Sequence, residues 1–591
     1  MPNFLPISKS DCKIRGWDAC DIIIVSGDAY VDHPSWGVAV IARVLEHAGY
    51  RVGIIPQPDW RNTADFMALG RPRLFFAITA GNLDSMVANY TANKRPRRND
   101  HYSPAGTPGM RPDRAIIVYA NRVRQAFPDS PIVIGGIEAS LRRIAHYDYW
   151  DNNVRGSIIL DTRADILVYG MGERQIITIA RRLAEKKDLE GIPGTVVIQK
   201  DVSTCADYLE LPSYDEVRND TKKFNEAFEI FYRNQDPLHG KTLAQKHGTR
   251  FIVHFPPAAP LTSQELDAIY ALPFARRPHP VYTKAGGIPG FETVKFSIIT
   301  NRGCCGECNF CSLYAHQGRI VQSRSEESII TEARLLAQQA GFKGTISDIG
   351  GPTANLYAAH CRHWNTRGTC RKRQCLMPRP CPHLKPGIEQ SRHLYRKLRA
   401  VPGVQHVFIE SGMRYDLLGD PSAAGYLEDV CAYHVSGQLK VAPEHTVNHV
   451  LALMNKPNFS VYEGFTRQFT AATARCRKEL YLVNYFISAH PGATLNDALT
   501  LSLELMRRHI RPQQIQDFIP LPMTVSTCMF YTGRHPLTGE TVYVAREPAQ
   551  RAMQRALIQY FNPKNKNVIR QALKILGKED LWGTFRRAGL R

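Results

Sequence analysis

Asn301-Arg302-Gly303-Cys304-Cys305-Gly306-Glu307-Cys308-Asn309-Phe310-Cys311 follows directly on the run Val294-Lys295-Phe296-Ser297-Ile298-Ile299, and its reading decides that of the whole chain. Cys304, Cys308 and Cys311 stand at C-x₃-C-x₂-C spacing. A cubane iron–sulfur cluster normally takes four thiolates. Three in one short loop therefore suit a single cluster whose last iron is left to a ligand from outside the protein. The competing reading is zinc, with Cys305 as the fourth ligand. Adjacent Cys304 and Cys305 would struggle to reach one tetrahedral ion, and structural zinc sites usually draw paired ligands from two separate places. Cys305 is accordingly read as a non-ligand.

The triplet and its flanks resemble the cluster loop of the radical S-adenosylmethionine (SAM) enzymes. That resemblance implies a 4Fe-4S cluster on Cys304, Cys308 and Cys311, with the amino and carboxylate groups of SAM on the open iron. It further implies reductive cleavage of SAM to a 5′-deoxyadenosyl radical that abstracts hydrogen from a substrate, chemistry that belongs to the cofactor pair. An electron donor such as flavodoxin or ferredoxin is implied with it.

At 591 residues the chain has length for about three domains, each with its own core. Hydrophobic content of 43% with a mean hydropathy of −0.29 describes a soluble globular protein. No apolar run approaches the roughly 18 residues needed to cross a bilayer. Met1-Pro2-Asn3-Phe4-Leu5-Pro6 lacks the charged and apolar regions of a signal peptide, so a cytoplasmic protein without a membrane partner is expected. Eight of the fourteen cysteines fall between Cys304 and Cys381, a clustering for metal rather than a disulfide framework, in keeping with a reducing compartment. The net charge of +21 and pI near 9.4 bear on partners more than on fold. RNA or DNA is a candidate partner. Yet Arg51, Lys94-Arg95-Pro96-Arg97-Arg98 and Arg586-Arg587 carry no nucleic-acid motif and equally suit a solvated surface.

Residues 1–207 alternate short apolar runs with helical stretches. Strands are expected at Asp21-Ile22-Ile23-Ile24-Val25-Ser26, Leu74-Phe75-Phe76-Ala77-Ile78, Ala115-Ile116-Ile117-Val118-Tyr119, Pro131-Ile132-Val133-Ile134 and Ala164-Asp165-Ile166-Leu167-Val168, with a helix from Gly37 to Ala48. Continuous apolar strands separated by helices argue for a Rossmann-like, doubly wound parallel sheet. Gly135-Gly136 and Gly170-Met171-Gly172-Glu173 fall where two of these strands end, the face on which such sheets bind ligands. The arrangement resembles the cobalamin-binding-like domain ahead of several radical SAM cores. Those domains carry D-x-H-x-x-G, whereas Asp32-His33-Pro34-Ser35-Trp36-Gly37 sets Asp beside His and adds a residue before Gly. Cobalamin is therefore not expected, and His33 reads as a loop residue.

Residues 208–291 turn to polar helical segments and Pro-rich turns and read as a connector, with a helix start at Thr262 or Ser263. From 292 to 530 strand and helix alternate again. After Val294–Ile299 come Thr345-Ile346-Ser347-Asp348-Ile349, His406-Val407-Phe408-Ile409-Glu410, Gln438-Leu439-Lys440-Val441, Leu480 to Phe486 and Ile515 to Ile519, with helices at 326–340 and 495–509 between them. Six βα units make a partial TIM-type (βα)₆ barrel, whose active residues gather at the C-terminal strand ends, where the Cys triplet lies. Residues 531–591 form a basic C-terminal extension with a helix opening at Pro548.

Gly350-Gly351-Pro352-Thr353 ends the second of these strands and resembles the radical SAM G-G-E element, so a backbone role toward the SAM amino group passes to Gly350 and Gly351. Ser411, Arg414 and Glu444, polar groups at later strand ends, are the expected ribose and carboxylate contacts, Arg being suited to hold both oxygens of a carboxylate. Each could equally serve a structural ion pair. His490-Pro491-Gly492 resembles the turn that meets adenine through its backbone. A second constellation, Cys361, Cys370, Cys375 and Cys381 with His360, His363 and His383, lies in a Pro/Arg-rich insertion at 360–384. Four soft ligands in a segment with little to bury suit a second metal, zinc or an auxiliary iron–sulfur cluster; free thiols are the alternative.

Ile298-Ile299-Thr300-Asn301-Arg302-Gly303-Cys304, Val441-Ala442-Pro443-Glu444-His445 and Asp517-Phe518-Ile519-Pro520-Leu521-Pro522 resemble the YgiQ family of radical SAM proteins over nearly the whole chain. The resemblance implies the cofactors and the core fold and leaves the substrate open. An enzyme that modifies a macromolecule or metabolite, for instance by methylthiolation or methylation, is the expectation; an RNA-associated protein with a structural or redox-sensing cluster is the alternative.

Overall fold

The computed structural model describes residues 4–203, 207–371, 373–419, 423–513 and 515–590. The chain divides into two compact units, the first made of Met1–Ile299, Ser312–Glu332 and Asn365–Thr369, the second of Thr300–Cys311, Ala333–Trp364 and Cys370–Arg591.

The first unit is built on a nine-stranded sheet: β1 (Ile22–Ser26), β2 (Val52–Pro56), β3 (Phe75–Thr79), β4 (Ile132–Ile134), β5 (Ile166–Val168), β6 (Thr195–Gln199), β7 (Tyr208–Leu211), β8 (Thr242–His247) and β9 (Arg250–His254), in the order β7-β8-β9-β6-β5-β4-β3-β1-β2. The segment β5-β4-β3-β1-β2 is parallel throughout, a doubly wound order whose switch point lies between β1 and β3. Successive residues of β1 face opposite cores. Ile22 and Ile24 join the helices Gly37–His47 and Glu173–Ala184 on one side, while Ile23 and Val25 join Ala115–Ala126 on the other. Burial on both faces is why these strands read as unbroken apolar runs.

Two expectations are corrected here. Ala115–Tyr119 is not a strand but the start of the helix Ala115–Ala126. Its buried residues Ala115, Ile116, Tyr119, Ala120 and Val123 follow a helical stripe that the β-branched pair Ile116-Ile117 obscures when the window stops at Tyr119. The segment 208–291 is not only helices and turns, since β7, β8 and β9 extend the sheet beyond its parallel part. In β8 and β9 polar residues interrupt the apolar ones, and the pair closes antiparallel through Gly248-Thr249, with His247 opposite Arg250. The helix Ser263–Tyr270 does start at Thr262, whose hydroxyl accepts from the Glu265 amide in a capping box.

In the second unit, β10 (Thr345–Ile346), β11 (Asp348–Gly350), β12 (His406–Val407), β13 (Gln438–Glu444), β14 (Tyr481–Ser488) and β15 (Ile515–Asp517) follow one another in chain order. β10 pairs parallel with β12, and β14 pairs parallel with both β13 and β15. Between these groups Met413 meets Val441 in a parallel bridge. Helices Ile388–Arg399, Phe459–Cys476 and Leu495–Arg507 lie between strands. The C-terminal helices Pro548–Ile558, Lys566–Ile575 and Trp582–Arg587 share an apolar core with Leu495–Arg507. Among the described residues no helix is long and apolar enough to cross a membrane.

Candidate functional site

The loop 300–311 is held in place largely by the segment after β13. Asn455 Nδ2 donates to the Glu307 carbonyl at 2.8 Å, Asn309 Nδ2 donates to the Leu453 carbonyl at 2.9 Å, and the Asn309 amide donates to the Met454 carbonyl at 3.0 Å. Glu307 takes a positive φ of 46° to make the bend. Within this loop Cys304, Cys308 and Cys311 are partly exposed, while Cys305 is fully buried. The Gly306 amide donates to Cys304 Sγ at 3.4 Å. Burial pushes the Cys304 thiol up, and the Arg414 guanidinium, the Gly306 amide and the Thr353 hydroxyl pull against it.

Arg414 is the electrostatic centre of the loop. Its Nη1 faces Cys308 Sγ at 3.7 Å, and its Nε and Nη2 are both spent on the Asp416 carboxylate at 3.0 and 2.6 Å. A guanidinium so engaged stands beside the loop thiols in a structural ion pair, the alternative that the sequence left open for it. Gly350 and Gly351 do lie against the loop. The Thr300 amide donates to the Gly350 carbonyl at 2.7 Å, and a Cβ on Gly351 would meet the Asn301 carbonyl oxygen at 2.6 Å. Ser411 sits next to Gly350, where a Cβ would meet Ser411 Oγ at 2.8 Å, and its hydroxyl donates to Asp348. Glu444 ends β13 at a φ of 67°, buried, with Lys456 Nζ 4.0 Å away; burial raises its carboxyl against the pull of Lys456 and Arg414.

Two buried polar atoms near these strand ends, Asn301 Nδ2 and Thr446 Oγ1, have no hydrogen-bond partner in the protein. Buried polar groups are ordinarily satisfied, so the donor set fits a polar cofactor. The turn His490-Pro491-Gly492 is already engaged, its Gly492 amide donating to the Tyr543 carbonyl at 2.7 Å and His490 Nε2 lying 2.7 Å from Ser526 Oγ. The roles of Asn309, Asp348, Asp416 and Asn455 carry no motif in the sequence. Only Asp416, two residues from Arg414, carried a local signal for its role.

The second cysteine set also comes together. His360–Cys361 pairs antiparallel with Leu384–Lys385, and the Cys381 amide donates to the Cys375 carbonyl at 2.8 Å. His363 and His383 have ring centroids 5.3 Å apart. Burial pushes the Cys375 thiol up to about 12, and Glu307, Cys361, Cys370 and Cys381 act on it in the same direction. Among the described residues no three Cys, His, Asp or Glu side chains stand at the spacing of ligands around a single ion.

In the first unit, the crevice at the β1/β3 switch point is filled by the chain's own buried ions. Arg111, fully buried, bridges Asp28 at 2.8 Å and Asp100 at 3.1 Å and donates to the Ala80 carbonyl; the Asn82 amide donates to Asp28 at 2.7 Å. Arg142 pairs with Asp84 beside it. His33 does lie in a loop, but a buried one. Its ring is fully buried against Trp36 and Phe291, its Nδ1 accepts from the Ser35 amide at 3.1 Å, and burial lowers its pKa to about 3.

Known proteins share both the fold and the sequence. The Radical SAM N-terminal family matches residues 4–297, and a domain of unknown function, DUF3362, matches residues 513–588. The radical SAM methyltransferase TsrM from Kitasatospora setae, solved with cobalamin and a [4Fe-4S] cluster, is similar in fold at a TM-score of 0.50 with 14% identity, over 87% of this chain and 76% of that one. The cobalamin-dependent SAM radical enzyme OxsB, solved with aqua-cobalamin, reaches a TM-score of 0.50 with 8% identity, over 95% and 76%. The fold is thus similar to that of these enzymes, and the N-terminal region matches a radical SAM family model. A UPF0313 protein of Methanocella arvoryzae (strain DSM 22066 / NBRC 105507 / MRE50) is 50% identical over 98% of this chain and 96% of its own, and one of Clostridium botulinum (strain 657 / Type Ba4) is 48% identical over 98% and 91%. The chain belongs to the UPF0313 family, the YgiQ-like radical SAM proteins.

Proposed function

We propose that this chain is an enzyme that holds a 4Fe-4S cluster on Cys304, Cys308 and Cys311 and cleaves SAM reductively. The observation that carries the reading is the division of the four cysteines in the loop: three partly exposed thiols at the family spacing, the fourth buried, with Arg414 Nη1 3.7 Å from Cys308 Sγ. When bound, the cluster with SAM supplies one-electron cleavage of a carbon–sulfur bond. The protein's own residues fix and tune the place where this happens. Asn309 and Asn455 hold the loop. Arg414 favours the thiolate over the thiol at Cys304, since a nearby cation stabilises the charged form. Gly350 and Gly351 let backbone come close to the SAM amino group, and Ser411 and Glu444 offer it a hydroxyl and a carboxylate. On this reading the parallel strands of the second unit are segments of a partial TIM-type barrel.

Cys361, Cys370, Cys375 and Cys381 are proposed as a second metal site, zinc or an auxiliary iron–sulfur cluster. A flavodoxin or ferredoxin in the cytoplasm is the proposed electron source, and methyl or methylthio transfer the proposed reaction class. The test is anaerobic reconstitution with iron and sulfide, reduction with dithionite, and chromatography for 5′-deoxyadenosine after adding SAM. The reading expects 5′-deoxyadenosine in excess over a no-dithionite control. A fully loaded cluster without that product would favour a structural or redox-sensing role instead.

A further inference from the structure

Within the first unit the buried arginines Arg43, Arg111, Arg142 and Arg324 each face a carboxylate, on Asp32, Asp28, Asp84 and Glu332 respectively. Arg143, fully buried, faces none among the described residues. Its Nε donates to His254 Nε2 at 3.0 Å, its Nη2 to Gln235 Oε1 at 2.5 Å, and its Nη1 to the carbonyls of Ala315 at 3.3 Å and Ser140. Its guanidinium carbon lies 4.4 Å from the Tyr169 ring centroid and 4.7 Å from that of Phe231. All of these partners are neutral; burial presses the His254 imidazole toward its uncharged form. Burial also lowers the Arg143 pKa, to about 10, which still leaves the group protonated at neutral pH. A buried cation with dipoles but no counter-ion is costly unless a charge from elsewhere compensates it.

Directly beside it is a place where such a charge can bind. Tyr169, Gln235 and Ala315, three of the Arg143 contacts, also line a cleft at the end of β5 with about 720 Å³ of space, counting that open to solvent. Two more arginines, Arg174 and Arg319, line it, and among the described residues no Asp or Glu does. Nearby carboxylates are committed: Glu265 to Arg174, and Asp236 to the amides of Leu238, His239 and Thr369. The helix Glu173–Ala184 begins at the cleft wall, with the buried Glu173 carboxylate in its first turn.

We propose that this cleft binds an anionic small molecule of the phosphate class, with Arg319 as the direct contact and Arg143 as the fixed charge beneath. Arginine pairs with phosphate oxygens through two parallel N–H donors. No residue of the cysteine loop lines the cleft among the described residues, and the proposal does not rest on the proposed SAM chemistry.

Inorganic pyrophosphate and AMP are the probes, titrated into the full-length, cluster-reconstituted protein by calorimetry, with ³¹P line broadening as a second readout. The expected result is saturable binding that weakens with added salt, is displaced by sulfate, and falls at least about tenfold in Arg319→Gln, with circular dichroism unchanged. AMP tighter than pyrophosphate would assign the site to nucleotides; the reverse would assign it to the inorganic anion. Absence of saturable binding of either probe up to about 10 mM, or equal affinity in wild type and Arg319→Gln, overturns the proposal. Should Arg319→Gln fail to fold, sulfate displacement on the wild type decides, and lack of competition counts against the site.

Discussion

A Cβ added to Gly306 would run into the Arg414 guanidinium and lie 3.3 Å from Cys304 Sγ. That position is therefore glycine so that a cation can reach the thiols, while Cys305, one residue earlier, turns into the core. The distinction is testable in single variants. Cys304→Ala, Cys308→Ala and Cys311→Ala are each expected to lose the SAM-binding cluster, because removing one of three thiolates opens a second iron. Cys305→Ala should keep SAM cleavage, with a stability loss of about 1 kcal/mol from the small void. Iron content and 5′-deoxyadenosine yield after anaerobic reconstitution check both. An inactive Cys305 variant beside an active Cys308 variant would reverse the ligand assignment. The thiol spacing was legible in the chain because three ligands of one loop must be local. The role of Arg414 was not: 106 residues separate it from Cys308, and only folding shows that Asp416 has already claimed two of its donors.

At the scale of elements, the insertion at 360–384 is a short antiparallel ribbon, His360–Cys361 against Leu384–Lys385, with the other thiols carried by the chain between. Few of its residues are buried, so hydrophobic packing alone offers it little order, and a metal bound by thiolates would supply the missing free energy. In a Cys304/Cys308/Cys311 triple-Ala protein, elemental analysis is expected to find either about one zinc per chain or cluster iron with matching acid-labile sulfide. Folded, metal-free protein from both aerobic and anaerobic preparations would make these cysteines ordinary thiols. Strong apolar periodicity made most strands and helices readable. Where polar residues interrupt the apolar ones, as in β8 and β9, or where β-branched residues open a helix, as at Ala115–Ala126, the local pattern points the wrong way until the neighbouring layer is known.

At the scale of the whole molecule, the fold is similar to that of proteins solved with cobalamin, yet the β1/β3 crevice of the sheet holds the Arg111, Asp28 and Asp100 network, and His33 is sealed between Trp36 and Phe291. A corrinoid would have to displace buried ion pairs, and breaking such a pair costs about 3–5 kcal/mol. Full-length protein reconstituted with hydroxocobalamin is expected to lose it on gel filtration, read by visible absorbance, and to cleave SAM equally with or without it. Stoichiometric retention would refute this. Residue types and their spacing in the chain suffice for the thiol triplet, the alternation of strand and helix, and the family resemblance, because each is a local property of consecutive residues. Which arginines find carboxylates, that Arg143 finds none among the described residues, and that Arg414 faces sulfur depend on contacts between residues far apart in the chain. Charge balance in a buried site is a sum over every group that surrounds it, and that sum exists only once the chain has folded.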